Sequence, residues 1–176
     1  MIEIQIPEGV KAEVNGDKVI ISGSLGKNTR KFNSNLLSVG ISGGKITIDS
    51  IKEKKLQKKA STAENSFAKE LQNDIKGVNN LYEINMKAIF AHFPVSLEVK
   101  GNEVHINNLF GERVPRIAYI VGSAKVDAKG QALTIKGTSL DEVTQTAANI
   151  RRACRAKDKD TRVFQDGVYY AEEEGR

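Results

Sequence analysis

Apolar and polar residues alternate from the start of the chain, with Ile2, Ile4 and Ile6 on one face, the period-two pattern of a half-buried strand. Asn15-Gly16 is the strongest hairpin signal in the sequence, and Gly43-Gly44 marks a second hairpin. From about Lys52 to Lys76 the period changes. Leu56, Ala60, Ala63, Phe67, Leu71 and Ile75 fall three or four apart, which predicts a helix whose single apolar stripe covers the sheet, with Gly77 as its C-terminal cap. Tyr82, Ile84, Met86, Ala88 and Phe90 then alternate with polar residues and predict a further strand. Ser139-Leu140-Asp141-Glu142 has the spacing of a capping box, and Val143, Ala147, Ile150 and Cys154 continue as a second helical stripe.

The same order of elements occurs twice. Val14-Asn15-Gly16-Asp17-Lys18-Val19-Ile20-Ile21 reappears as Val99-Lys100-Gly101-Asn102-Glu103-Val104-His105-Ile106, and Gly26 is followed at the same offset by Gly111. After a two-residue slip Ile46-Thr47-Ile48 matches Leu133-Thr134-Ile135, and both copies run into a helix containing Thr-Ala, at Thr62-Ala63 and Thr146-Ala147. The pattern predicts an α+β protein of two tandem similar domains, each an antiparallel sheet packed against one long helix. The expected division is residues 1–78 and 79–176.

Composition narrows the chemistry. The 176 residues are 39% hydrophobic and 28% charged, enough apolar residues for one or two modest cores and too many for disorder. No apolar run approaches the roughly twenty residues of a membrane span, and the first residues lack the basic start and apolar stretch of a signal peptide, so a cytoplasmic protein without a membrane partner is expected. One cysteine, Cys154, forbids an internal disulfide, and with only His92 and His105 beside it a closed zinc site would need carboxylates. Cys154 lies on the helical stripe and is expected in the core rather than as a nucleophile for His105, whose ring is expected in solvent, while His92 is placed in a loop. Gly23-Ser24-Leu25-Gly26-Lys27-Asn28 has neither the spacing nor the Ser or Thr after Lys of a P-loop, and its strand-rich surroundings exclude the helix-joining clamp of single-stranded RNA readers. It reads as a loop between strands. No cofactor, metal, small-molecule substrate or catalytic constellation emerges at an informative spacing.

Charge is the informative feature. Lys+Arg exceed Asp+Glu by 27 to 22, a formal net charge of +5 that favours a polyanionic partner. Lys52, Lys54, Lys55, Lys58 and Lys59 crowd the predicted start of the first helix, where cations oppose the helix dipole, and read as a solvated face. A denser cluster follows the second helix. Arg151, Arg152, Arg155, Lys157, Lys159 and Arg162 stand against only Asp158 and Asp160, and the forked arginine groups suit phosphate oxygens. Arg151 and Arg155 are four apart and share a helix face away from the apolar stripe. Phe164, Tyr169 and Tyr170 flank an expected turn at Asp166-Gly167 and could stack on unpaired bases or staple the tail to the domain, with stapling favoured for Tyr169.

The run from Gly137 through Arg151, followed by Lys157-Asp158-Lys159-Asp160-Thr161-Arg162-Val163-Phe164-Gln165-Asp166-Gly167-Val168-Tyr169, closely resembles the large-subunit ribosomal protein L-six family of archaeal type. Ile6-Pro7-Glu8-Gly9-Val10 and Val14-Asn15-Gly16 are similar to that family too, so the likeness covers essentially the whole chain. The resemblance implies a structural protein of two similar α+β domains, binding large-subunit ribosomal RNA near the sarcin–ricin loop, close to where translational GTPases dock. Neighbouring ribosomal proteins and large-subunit RNA are the implied partners. The bacterial pattern of a Pro-rich segment and a Gly-Lys-Gly loop is replaced by Lys157 to Tyr169, so only a basic, turn-containing tail carries over. Arg151, Arg152, Arg155, Lys157, Lys159, Arg162, Phe164, Gln165 and Tyr170 form the expected RNA-binding set, with the N-terminal half facing proteins. A free RNA-binding or RNA-chaperone module is the alternative.

Overall fold

Where apolar alternation meets a glycine, the chain makes a strand and turns back. The computed structural model describes residues 2–50 and 57–171, and divides into two units, Met1–Leu81 and Tyr82–Arg176. The first unit contains β1 (Ile2–Gln5), β2 (Lys11–Asn15), β3 (Lys18–Ser22), β4 (Lys27–Lys31), β5 (Leu37–Ser42), β6 (Lys45–Ser50) and α1 (Gln57–Asn79). The single sheet expected of it is two antiparallel sheets, ordered β2-β3-β4 and β1-β6-β5. The N-terminal strand passes over the first hairpin to pair with the second, Ile4 opposite Ile46, while the first hairpin gains β4 as its own third strand. Buried Val19 and Ile21 from one sheet and Ile46 and Ile48 from the other share a core with Phe67, Leu71 and Ile75 of α1.

Of the helical stripe, Ala60, Phe67, Leu71 and Ile75 are buried and Ala63 is half-buried, whereas Leu56 lies outside the described residues. The helix does not stop at Gly77. It continues to Asn79, with Gly77 and Val78 buried, because Val78 fills the core and its carbonyl accepts the Leu25 N–H at 3.1 Å. An orphan carbonyl of the last turn is thereby satisfied across the unit, and no left-handed glycine cap is needed. Gly23 makes the approach possible, since a Cβ there would sit 2.8 Å from Val78 Cγ2. Farther back, buried Asp74 accepts from Arg30 Nε and Nη2, both at 2.9 Å, and from Asn28 Nδ2 at 3.3 Å, which ties β4 to α1.

The second unit contains β7 (Tyr82–Ile89), β8 (Ser96–Lys100), β9 (Glu103–Asn107), a 3-10 turn at Leu109–Gly111, β10 (Arg116–Tyr119), β11 (Lys125–Lys129), β12 (Ala132–Gly137), α2 (Leu140–Ala153) and β13 (Gly167–Tyr170). It too has two antiparallel sheets, ordered β10-β9-β8 and β11-β12-β7-β13. Gly16 and Gly101 stand at corresponding hairpin tips with φ of +61° and +60°, a left-handed conformation that glycine adopts without strain. The equation of Gly26 with Gly111 fails. Gly26 directly precedes β4, whereas Gly111 closes the 3-10 turn in a longer connection, packed under the Phe93 ring.

Val143, Ala147, Ile150 and Cys154 are all buried beneath α2, as their spacing predicts. Ser139 Oγ accepts the Glu142 N–H at 3.5 Å, the forward half of a capping box. The Glu142 carboxylate turns away from Ser139, accepting the N–H and hydroxyl of Ser123 at 2.8 and 2.9 Å. The tail differs from expectation. Asp166-Gly167 is not a turn, because Asp166 is buried and Gly167 opens β13, which pairs with β7 from Gly167 opposite Ile89 to Tyr170 opposite Met86. The pairing covers the edge that β7 would otherwise expose.

Gly23→Ala is expected to destabilise the protein by about 1–3 kcal/mol through overpacking against Val78. Urea unfolding followed by circular dichroism measures it, and an unchanged midpoint would mean that the close approach at the helix end carries no weight.

Candidate nucleic-acid interface

The cations that follow α2 are on the surface because the opposite side of that helix is committed to the core. Arg151 and Arg152 occupy its last turn, Arg155 lies just beyond, and all three are exposed. Cations there face the negative end of the helix dipole, and Asp141 and Glu142 occupy the complementary first turn. Lys157, Lys159 and Arg162 are exposed on the irregular segment that leads to β13. Asp158 turns that segment with a φ of 54°, a left-handed conformation that Asp tolerates better than most residues.

A residue that the sequence did not single out holds this end of the helix. Arg116, on β10, points inward, and its Nη1 donates to the carbonyls of Ala153 at 2.9 Å and Arg155 at 2.7 Å. Its Nε and Nη2 donate to the two carboxylate oxygens of Glu112 at 2.8 and 2.6 Å, and its guanidinium stands 5.4 Å from the Phe110 ring centroid. The helix thus ends on a fixed cation that closes the carbonyl of its last residue and one just beyond it, with one carboxylate neutralising that cation. The same hydrogen bonds hold the Glu112 carboxyl below its ordinary value, the Arg116 charge adding to them. Thr146 ties the helix to the connection between β10 and β11: its Oγ1 accepts the Val121 N–H at 3.0 Å and donates to the Glu142 carbonyl. Asn149 donates to the Tyr119 carbonyl at 3.0 Å.

The aromatic residues divide by role. Tyr169 and Tyr170 both lie against Arg151, with its guanidinium carbon 5.8 and 5.7 Å from their ring centroids. The Tyr169 hydroxyl also donates to the Gln165 carbonyl at 2.9 Å, so this ring fastens the tail. Tyr170 is 45% exposed and leaves a ring surface open to solvent. Phe164 is half-buried instead: it packs on the core, its ring 5.2 Å from His92 and 6.3 Å from Phe110, with Lys159 Nζ 4.8 Å from its centroid. Gln165 is exposed and donates to the Arg162 carbonyl at 3.2 Å. Arg162 is bonded to Asp160 through Nε and Nη2 at 3.1 and 3.0 Å, and those bonds hold the Asp160 carboxyl below its usual range.

Asp166 secures the base of the tail, accepting the Ala91 N–H at 2.8 Å, with His92 Nδ1 3.6 Å away. His92 therefore does sit in a loop, exposed to solvent with its ring beside Phe164. His105 is not free in solvent. Its side chain is 16% exposed and its Nε2 is 3.0 Å from Glu103 Oε2. Cys154 is buried, and burial pushes its thiol up to about 11 despite the Val168 N–H and the Arg116 charge, which act the other way. Of the first lysine cluster, Lys58 and Lys59 are exposed on α1, and Lys52, Lys54 and Lys55 lie outside the described residues. Among the described residues no group of His, Cys, Asp and Glu could hold a metal ion, and no helix is long and apolar enough to cross a membrane.

Comparison with known proteins places this geometry in context. Residues 93–167, most of the second unit, match the family described as Ribosomal protein L6. Over nearly the whole chain the sequence is similar to proteins named large ribosomal subunit protein uL6. That of Methanocella arvoryzae is 40% identical over 168 residues, covering 95% of this chain and 93% of its own. Those of Methanobrevibacter smithii and Archaeoglobus fulgidus are 39% and 37% identical, covering 98% and 94% of this chain and 95% and 86% of their own.

Two outcomes follow from the helix end. Arg116→Met should cost about 2 kcal/mol, because two carbonyls and a carboxylate lose their donors together. Since the lowered Glu112 carboxyl contributes above its unfolded value and loses that contribution as pH falls through the folded one, the deficit should shrink in acid. Thermal melts across pH read both, and a deficit that stays constant down to the acid limit would remove Glu112 from the account. Cys154→Ala should cost about 1 kcal/mol and leave RNA binding intact. In the native protein the thiol should resist an aromatic disulfide reagent until the pH nears 11, and ready labelling near neutrality would show that it is not buried.

Proposed function

Because this chain belongs to the ribosomal protein L6 family, whose members are structural and not catalytic, we propose that it is a constituent of the large ribosomal subunit in the cytoplasm and holds ribosomal RNA there. The observation that carries the reading is the exposure, on one end of the second unit, of Arg151, Arg152, Arg155, Lys157, Lys159 and Arg162, with Arg116 fixing the helix end from within. Guanidinium groups held on a helix end present forks to phosphate oxygens without first losing freedom, and a lysine-bearing loop beside them can follow the backbone. Gln165 and the open face of Tyr170 adjoin this surface and complete the RNA-facing set. Phe164 serves it from beneath, as packing for the loop that carries Lys159 and Arg162.

In this reading the RNA lies near the sarcin–ricin loop, and translational GTPases dock close by, the second unit carrying the RNA contact and the first remaining available to neighbouring proteins. The first unit has fewer arginines, and its Arg30 is committed to Asp74 and Glu70. We also read the two units as copies of one ancestral unit. Support comes from register: Val14 opposes Val19 as Val99 opposes Val104, and Ile46 opposes Ile4 as Leu133 opposes Met86.

Changing Arg151, Arg155 and Arg162 together to Gln should flatten the log–log salt dependence of binding to a large-subunit RNA fragment by about one unit for each phosphate left without its cation. The fold should survive, because these side chains lie off the core. Changing Lys54, Lys55 and Lys58 to Gln should do much less. Filter-binding titrations over a range of salt compare the two, and equal effects would mean that overall charge, not this face, holds the RNA. Sedimentation with large subunits in high salt separates a resident constituent from a free RNA-binding module.

A further inference from the structure

The β2-β3-β4 sheet gives one face to the core through Val19, Ile21 and Asn28 and keeps the other in water. That outer face carries four exposed lysines in two rows. Lys11 and Lys27 stand on either side of Ser22, and Lys18 stands directly opposite Lys31. Four residues along β3 separate the rows, about 13 Å at strand spacing. Between them lies a row of different character, Glu13, half-buried Ile20 and Thr29. Asp17 bonds Lys31 at 3.2 Å, but the two side chains are 43% and 71% exposed, and a pair so open to water contributes little. Lysines directly opposite one another repel, so the fold gains nothing from this arrangement. Nor does the architecture call for it. In the matching register of the second unit, Ser96, Glu103 and Tyr119 stand where Lys11, Lys18 and Lys31 stand in the first.

We propose that this lysine face docks an extended acidic segment of a neighbouring protein, one with carboxylates four residues apart and an apolar residue midway. The proposal rests on the reading that the first unit meets proteins, and it names the place and the chemistry. In an extended chain residues i, i+2 and i+4 share one side and span about 13 Å, so two carboxylates reach the two lysine rows while the middle side chain covers Ile20. RNA suits the face less well. The arginine of these strands, Arg30, turns inward to Asp74, and the strands hold no aromatic ring on which a base could stack. A phosphate backbone passing from row to row would also run beside the Glu13 carboxylate, which repels it.

The test uses the full-length protein and a synthetic peptide carrying Glu-Ser-Leu-Ser-Glu, followed by amide chemical shifts at low salt. Shifts should centre on Lys18, Ile20 and Thr29. Changing Lys11, Lys18, Lys27 and Lys31 together to Gln should weaken binding about tenfold. Changing the exposed Lys58, Lys59, Lys69 and Lys76 of α1 to Gln removes equal charge and should leave binding within about twofold. Serine in place of the peptide's leucine should weaken it about fivefold. Equal losses in the two lysine variants, indifference to the leucine, or a hexauridylate that takes the same face more tightly than the peptide overturns the proposal. In large subunits that have taken up the protein, a photo-crosslinking residue at Thr29 should join a protein at an acidic segment, identified by mass spectrometry, and any other partner at Thr29 overturns the proposal. Protein joined from exposed Asn65 on α1 but not from Thr29 removes this face and leaves the protein-facing reading standing, whereas RNA joined from both positions removes that reading as well.

Discussion

A helix that ends at the surface leaves carbonyls without donors, and the second unit depends on how that deficit is met. Arg116 meets it from inside. Its guanidinium reaches from β10 to the carbonyl of Ala153, the last residue of α2, and to that of Arg155 just beyond it, while Glu112 and the Phe110 ring hold it from behind. A cation among three exposed arginines would by itself raise repulsion at the helix end. The short bonds to Glu112 offset it, so the charge that fixes the backbone adds little to the charge the surface displays. The outward direction of Arg151, Arg152 and Arg155 follows from the buried stripe on the opposite side of α2, and the inward-pointing Arg116 fixes where that helix ends.

The first unit solves the same problem differently. Asn28 opposes Ile21 as Arg116 opposes Ile106, so the two side chains stand at matching places in their sheets. Asn28 bonds to Asp74, which also receives Arg30, well inside the longer helix. The end of α1 is sealed by the Leu25 N–H instead, an approach that Gly23 permits. With its guanidinium spent on a buried carboxylate, that unit keeps no arginine cluster at its helix end. One architecture thus yields a helix end closed by backbone in one unit and by a cation in the other, and only the second unit carries the dense arginines that suit phosphate.

Local signals were legible in the sequence and remote ones were not. The stripes of Phe67, Leu71 and Ile75 and of Val143, Ala147 and Ile150 could be read because helical spacing is a property of neighbours. The glycine hairpins were legible for the same reason. Gly77 misled, because a glycine near a predicted helix end looks like a cap whether or not a distant N–H has already taken the last carbonyl. The strand β13 was hidden, since what makes Gly167 to Tyr170 a strand is the open edge of β7, far back in the chain. Arg116 was hidden most completely. Nothing local distinguishes an inward arginine on a short strand from a solvated one, and its value appears only when the carbonyls of Ala153 and Arg155 arrive beside it. The cation cluster itself was plain, whereas the division of its aromatics into fastener, packing and open ring needed the fold.

The exposed cations are not equivalent, and the difference bears on how such a surface engages RNA. Arg151 is held by two tyrosine rings on the end of a packed helix, so it meets a phosphate with little further loss of freedom. Arg162 is 88% exposed and bonded to Asp160, which is itself half in solvent. An ion pair that open to water contributes little, so a phosphate can take the place of Asp160 at small cost, whereas the Arg116–Glu112 pair, shielded and shared with the backbone, does not exchange. The helix end supplies fixed positions and the following loop supplies adjustable ones. A folded RNA backbone, whose phosphates are set by its own structure, is matched by that combination better than by a uniformly rigid or uniformly mobile patch of the same charge.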